Sequence, residues 1–257
     1  MTETVLDLAH KAMETAPDDD HARLRFYERL ADAELFVLQD SEYGFSPRVF
    51  PLEDGPVVLA FDREDRLAEF AQGPASCAEM TGRTLVPLLA EARLGLGLNL
   101  GVAPSAFHMP HDAVVWLSET LAKRPESMAS QPEAVEPPTD VPEAVILALD
   151  AKFCGLAGLA QKAFLATAVH QTGRRVPLVA FDGWVPGAED ALSGAVSEAL
   201  IFSGQDSGAM DVAFPKAGGA LLDRLSKVAL RFDLPAAETP SGPSAPGTDP
   251  AKPPKLR

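Results

Sequence analysis

Apolar residues at Val5, Leu6, Ala9 and Met13 recur at helical spacing and predict a first helix, which Pro17 and the run Asp18–Asp20 interrupt. Asp20 is placed to cap a second helix carrying Leu24, Tyr27, Leu30 and Ala31 on one face. The pattern then shortens. ELFVLQD reads as a strand, and RVFPLED and VVLAFD read as two more joined by a Gly-Pro turn. DREDRLAEFA predicts a short helix with Asp62 and Asp65 at its mouth, CAEMTG a brief strand, and RTLVPLLAEAR a helix with Thr84 as a cap and Pro87 in its first turn. In LGLGLNLG, Gly95 falls where a helix terminates, and Leu96, Leu98 and Leu100 alternate with Gly97 and Asn99 as in a strand. AVVWL reads as a further strand.

The second half alternates strand and helix patterns. AVILALD reads as a strand and GLAGLAQKAFLATAVHQTG as a helix closed by Gly173, with Arg174 and Arg175 suited to its negative end. VPLVAFDG reads as a strand, AEDALSGAVSEALIFSG as a helix, MDVAFP as a strand and ALLDRLSKVALRF as a last amphipathic helix. Such repeats argue for a small sheet with helices packed on it, mostly with parallel neighbours, while a split arrangement with an antiparallel pair stays open. The fold class expected is α/β (α+β): two small domains, each a sheet with packed helices.

Composition divides the chain. Arg124 to Pro142 holds five prolines and reads as a linker, and Ala236 to Arg257 holds six prolines in 22 residues and reads as a disordered tail. The domains expected are therefore 1–123 and 143–235, with linker 124–142 and tail 236–257. The net charge is −15, and residues 1–70 carry 17 Asp and Glu against 7 Lys and Arg, so −10 of it lies there. That charge repels phosphate backbones and anionic headgroups, which argues against nucleic acid and membrane as partners. No apolar run approaches the ~20 residues of a membrane span, and no basic-then-apolar leader opens the chain, so a cytoplasmic location is expected. Cys77 and Cys154 read as two buried or half-buried thiols.

The candidate chemistry is sparse. The glycines at 95, 97 and 101 are not spaced as in a dinucleotide fingerprint, Pro104 follows where a helix should begin, and the Walker lysine is missing. His108 and His111, with Asp112, are the best metal candidates, yet their spacing fits an ordinary turn better. Ser105, His108 and Asp112 have the residue types of a nucleophilic triad, but triads converge from separate elements and Ser105 has no nucleophile-elbow glycines. Trp184 reads as covering a sheet edge in preference to anchoring a partner. No metal or cofactor is expected.

Taken together, DDDHARLRFYERLADAELFVLQD, PVVLAFDREDRLAEFA and RTLVPLLAEARLGLGLNLG resemble the N-terminal domain of the SseB family, named for enhanced serine sensitivity. Asn99 and Gly101 match the family's Asn-Pro-Gly, with Leu100 in place of the proline, and residues 143–235 are similar to its smaller C-terminal α/β domain. The resemblance implies no established reaction or cofactor. It implies a non-enzymatic binding or regulatory protein linked to amino-acid (serine) metabolism, contacting an unknown protein or small metabolite. Gly95, Gly97, Asn99 and Gly101 are the binding residues expected, since glycine backbone admits a ligand close to its amides. The competing expectations are a small hydrolase using Ser105, His108 and Asp112, and an acidic adaptor associated with secretion.

Overall fold

The computed structural model describes residues 3–41, 44–123, 132–206 and 209–237. Among these it contains two mixed sheets, each with helices on both faces, so the chain is built as two small α/β units. The expected tail, 236–257, lies outside the described residues except at its first two positions.

In the first unit, helices α1 (Val5–Thr15) and α2 (Asp20–Asp32) precede strands β1 (Glu34–Leu38), β2 (Val49–Leu52) and β3 (Gly55–Phe61). Helix α3 (Glu64–Ala71), strand β4 (Cys77–Thr81), helix α4 (Gly82–Ala92) and strands β5 (Gly95–Leu98) and β6 (Phe107–Met109) follow, and helix α5 (His111–Ala122) closes the unit. The sheet order is β4-β1-β3-β5-β6, with β2 beside β3, and β3 and β5 run parallel. β3 is buried on both faces: Val58 and Ala60 join the core beneath α2, α4 and α5, while Val57, Leu59 and Phe61 meet Leu67 of α3 on the other side. AVVWL was expected as a strand but lies in α5, because Val114, Leu117 and Leu121 form an i, i+3, i+7 stripe on the core.

In the second unit, strand β7 (Ala134–Glu136) and helix α6 (Glu143–Cys154) lead to strands β8 (Lys162–Val169) and β9 (Arg175–Asp182). Helix α7 (Glu189–Phe202), strand β10 (Asp211–Ala213), helix α8 (Ala220–Val228) and strand β11 (Leu230–Asp233) complete it. The order is β10-β9-β8-β11 with β7 beside β8; among the described strands of this unit only the β9–β10 pair is parallel, so the mostly parallel neighbours expected are not found.

Several expectations are corrected here. AVILALD is helical, since Val145, Leu149 and Phe153 make a four-residue stripe. The sequence expected as a helix around Phe164 is strand β8, whose run AFLATA is apolar because both faces are covered. His170, Arg174 and Arg175 therefore sit at a hairpin, not a helix end, and the Arg175 guanidinium pairs with Glu136. The end of ALLDRLSKVALRF turns into β11, and part of the expected linker pairs with β8 as β7. Both cysteines are exposed, contrary to expectation.

The two units are packed on each other. α7 is buried almost all round and reaches α2 and α5 of the first unit, and its Phe202 joins the first unit's core. Within that first unit, α4 starts against the backbone of α2. A Cβ on Gly82 would stand 2.0 Å from the Leu30 carbonyl oxygen, and the Gly82 amide donates to the Ala33 carbonyl at 2.9 Å. Gly82→Ala should thus cost about 3 kcal/mol, the upper part of the overpacking range, because backbone cannot give as a side chain can. Urea unfolding checks this, and an unchanged midpoint would refute the close approach.

Candidate functional site

The parallel strands β3 and β5 end side by side, at Asp62 and Asn99, and ligands of open α/β sheets bind beyond such carboxyl ends. A buried polar cluster occupies this place. Its centre is Arg66, in the first turn of α3 and 1% exposed. A cation is disfavoured there by the helix dipole, and burial of its charge is costlier still, so its partners must supply the compensation.

They do so from three elements. Arg66 Nη2 and Nη1 donate to the two carboxylate oxygens of Asp7 on α1 at 2.5 and 3.1 Å, and Nη1 also donates to Asp62 at 2.8 Å. Ser105 Oγ donates to Asp7 at 2.5 Å and accepts from Asn99 Nδ2 at 2.9 Å. The Asn99 side-chain oxygen accepts the Asp62 amide at 3.1 Å. Thr4 Oγ1 donates to Asp62 at 2.6 Å, while Thr4 and Asp7 form the capping box of α1. Arg66 Nε has no hydrogen-bond partner among the described residues although it is buried.

Burial works to raise the Asp7 pKa, but the Arg66 guanidinium, the Ser105 hydroxyl and the Thr4 amide outweigh it and hold the carboxyl well below its ordinary value. A depressed folded-state pKa stabilises the fold above the unfolded value of ~3.9, and that contribution disappears as pH falls through the folded value. Asp7→Asn should accordingly lower stability at pH 7 and flatten its decline below about pH 4. Unfolding free energies measured against pH test this; parallel curves for the two proteins would contradict it.

The structure divides the residues expected from sequence. Asn99, in left-handed backbone at φ 49°, is fully buried in the cluster, and Ser105 is beside it. The space next to Gly95 is taken by the Met109 carbonyl and Val57, and that next to Gly97 by Leu59 and Leu100. These two glycines pack the sheet, and Gly101 turns the chain at φ 77°. His108 lies in β6 opposite Gly97 and His111 begins α5; His108 Nε2 and His111 Nδ1 are buried without a hydrogen-bond partner among the described residues. Ser105 is bonded to Asp7 and Asn99, not to His108, and Asp112 is exposed. Among the described residues no group of three or more His, Cys, Asp or Glu is placed to hold a metal. Trp184 covers the second sheet, donating to the Pro215 carbonyl at 3.2 Å beside Phe214.

A second charged cluster joins the units. Lys152 Nζ on α6 lies 3.2, 2.8 and 3.1 Å from Glu28, Asp32 and Glu198, and Arg83 on α4 bridges Glu198 and Asp32 at 2.5 and 2.6 Å. An adjoining cleft of about 640 Å³ is lined by Arg29 and Asp190 besides Asp32, Arg83, Lys152 and Glu198. Its buried charges are engaged with one another across the interface, which makes it a joint between the units.

Sequence reasoning missed Asp7, Arg66 and Lys152. The available signal was an arginine in the first turn of DREDRLAEFA directly after a fully apolar strand, where a solvent-facing residue needs no such company of acids.

No helix among the described residues is long and apolar enough to cross a membrane. No curated protein and no solved structure matches the chain. The family described as SseB protein N-terminal domain matches residues 10–116, a span that includes Asp62, Arg66, Asn99 and Ser105 but neither Thr4 nor Asp7. Residues 10–116 therefore match an SseB N-terminal domain, which supports SseB family membership.

Proposed function

We propose that the protein is a non-enzymatic, cytoplasmic binding module with a regulatory role linked to amino-acid (serine) metabolism, and that residues 143–235 serve as the family's C-terminal domain. The observation carrying this reading is the Arg66 cluster beyond the carboxyl ends of β3 and β5. Its groups are cross-oriented by hydrogen bonds, as recognition requires. The same geometry argues against nucleophilic chemistry at Ser105. Its hydroxyl donates to Asp7, whose depressed pKa makes it a poor proton acceptor, and general-base catalysis needs a base tuned near the working pH.

A thermal-shift screen against amino acids, nucleotides and divalent metals tests the proposal. A ligand confined to the folded state adds about 2.7 kcal/mol at 100 times its dissociation constant. The expected result is a raised midpoint with L-serine or a related amino acid. A response to metals alone, or to none of these compounds, would overturn it.

A further inference from the structure

The Arg66 cluster is already filled, and its occupant has a particular chemistry. Helix α1 presents a carboxylate, Asp7, to the Arg66 guanidinium and the Ser105 hydroxyl. One turn away it presents a hydrogen-bond donor, the Thr4 hydroxyl, to the Asp62 carboxylate at 2.6 Å. Asp62 and Arg66 are themselves joined at 2.8 Å, so the acceptor for the donor and the fork for the carboxylate are neighbours. A carboxylate and a donor side by side are what an α-amino acid carries, as carboxylate and ammonium. We infer that Thr4 and Asp7 are an internal substitute for a small α-amino acid, and that withdrawal of α1 opens a site in which Arg66 and Ser105 take its carboxylate and Asp62 its ammonium. The inference rests on the binding reading above and names the ligand class and the control of that same site.

Two further observations support it. The residues of the cradle, Asp62, Arg66, Asn99 and Ser105, all fall in the matched family domain, whereas Thr4 and Asp7 lie outside the matched span. Arg66 keeps a buried Nε–H without an acceptor, a donor that α1 leaves unused. Helix α1 exposes Val5 and Leu8 on its outer side but buries Leu6, His10 and Met13 on the first unit's core, so the open state is a minor one that a ligand must populate.

An intramolecular occupant lowers apparent affinity by the fraction of time the site is open. Anything that weakens α1 without altering the cradle must therefore tighten ligand binding. Thr4→Ala removes the cap of α1 and its bond to Asp62 while leaving Asp7, Arg66 and Ser105 in place; a cap of ~1 kcal/mol corresponds to about fivefold tighter binding. Wild-type protein and Thr4→Ala are titrated with L-serine, glycine, acetate and L-serinamide, following hydrogen exchange of the amides of residues 5–15. The expected result is saturable loss of protection in α1 with serine and glycine, weaker loss with acetate, none with serinamide, and about fivefold tighter binding in Thr4→Ala.

Serine binding with α1 still protected and no effect of Thr4→Ala would overturn the inference while leaving the amino-acid-binding function standing. Equal responses to serine and serinamide would remove the carboxylate from recognition and overturn it also. No binding of serine or glycine to either protein, up to their solubility limits, would overturn both.

Discussion

Replacing Lys152 by methionine is expected to destabilise the protein by about 3–5 kcal/mol, the cost of leaving buried partner charges uncompensated. Lys152 is 9% exposed and faces Glu28 and Glu198, which are 9% and 4% exposed, together with the more open Asp32. Burial works to lower the Lys152 pKa, but the three carboxylates outweigh it and raise it. The raised value means that the stabilisation is complete below the unfolded value of ~10.4 and is lost as pH rises through the folded value. At Asp32 burial pushes the pKa up, and Lys152 and Arg83 more than offset it, so its own contribution fades only in acid. Arg83 stays charged throughout and keeps one bridge across the units. Urea unfolding at pH 7 checks the loss, and Lys152→Met with Glu198→Gln should lose less than the two single changes added, because the pair is coupled. A loss below about 1 kcal/mol would place these ion pairs in the weak class of surface bridges.

Arg66→Met should also cost about 3–5 kcal/mol, by the same stranding of buried carboxylates, here Asp7 and Asp62. Its pH signature is of opposite sign to the wild type. Without the guanidinium, burial dominates at Asp7 and its folded-state pKa rises above the unfolded ~3.9. The folded variant then binds more protons than the unfolded chain, so it gains stability as pH falls through that raised value. The wild type keeps the Asp7 contribution down to about pH 4 and loses it only below that. Unfolding curves between pH 7 and 4 distinguish the two, and parallel curves would show that Arg66 does not set the charge state of Asp7.

Much of the first unit can be read from its residues. Helices α1, α2, α3 and α4 and strands β1, β3 and β4 follow from short amphipathic runs with clear breakers such as Pro17. The second unit misleads because local composition opposes the final environment. The alanines of β8 favour a helix, yet both faces of the strand are covered, so burial overrides propensity. The β-branched pair Val145 and Ile146 suggests a strand, yet the stripe through Leu149 and Phe153 docks a helix. The site shows the same division. Asn99 and Ser105 lie close in sequence and draw notice, whereas Asp7 comes to Arg66 from 59 positions away. No spacing rule signals such a meeting; it follows from α1 crossing the end of a parallel strand pair.

Contact of the ligand with Arg66 is reported directly by the Nε–H resonances of the arginine side chains. They should be followed by nitrogen–proton correlation while the wild-type protein is titrated with L-serine. The expected result is a saturable shift of the buried Arg66 Nε–H signal with the Arg83 signal unmoved. A shift at Arg83 with Arg66 fixed would place the ligand in the cleft between the units and contradict the assignment of the site.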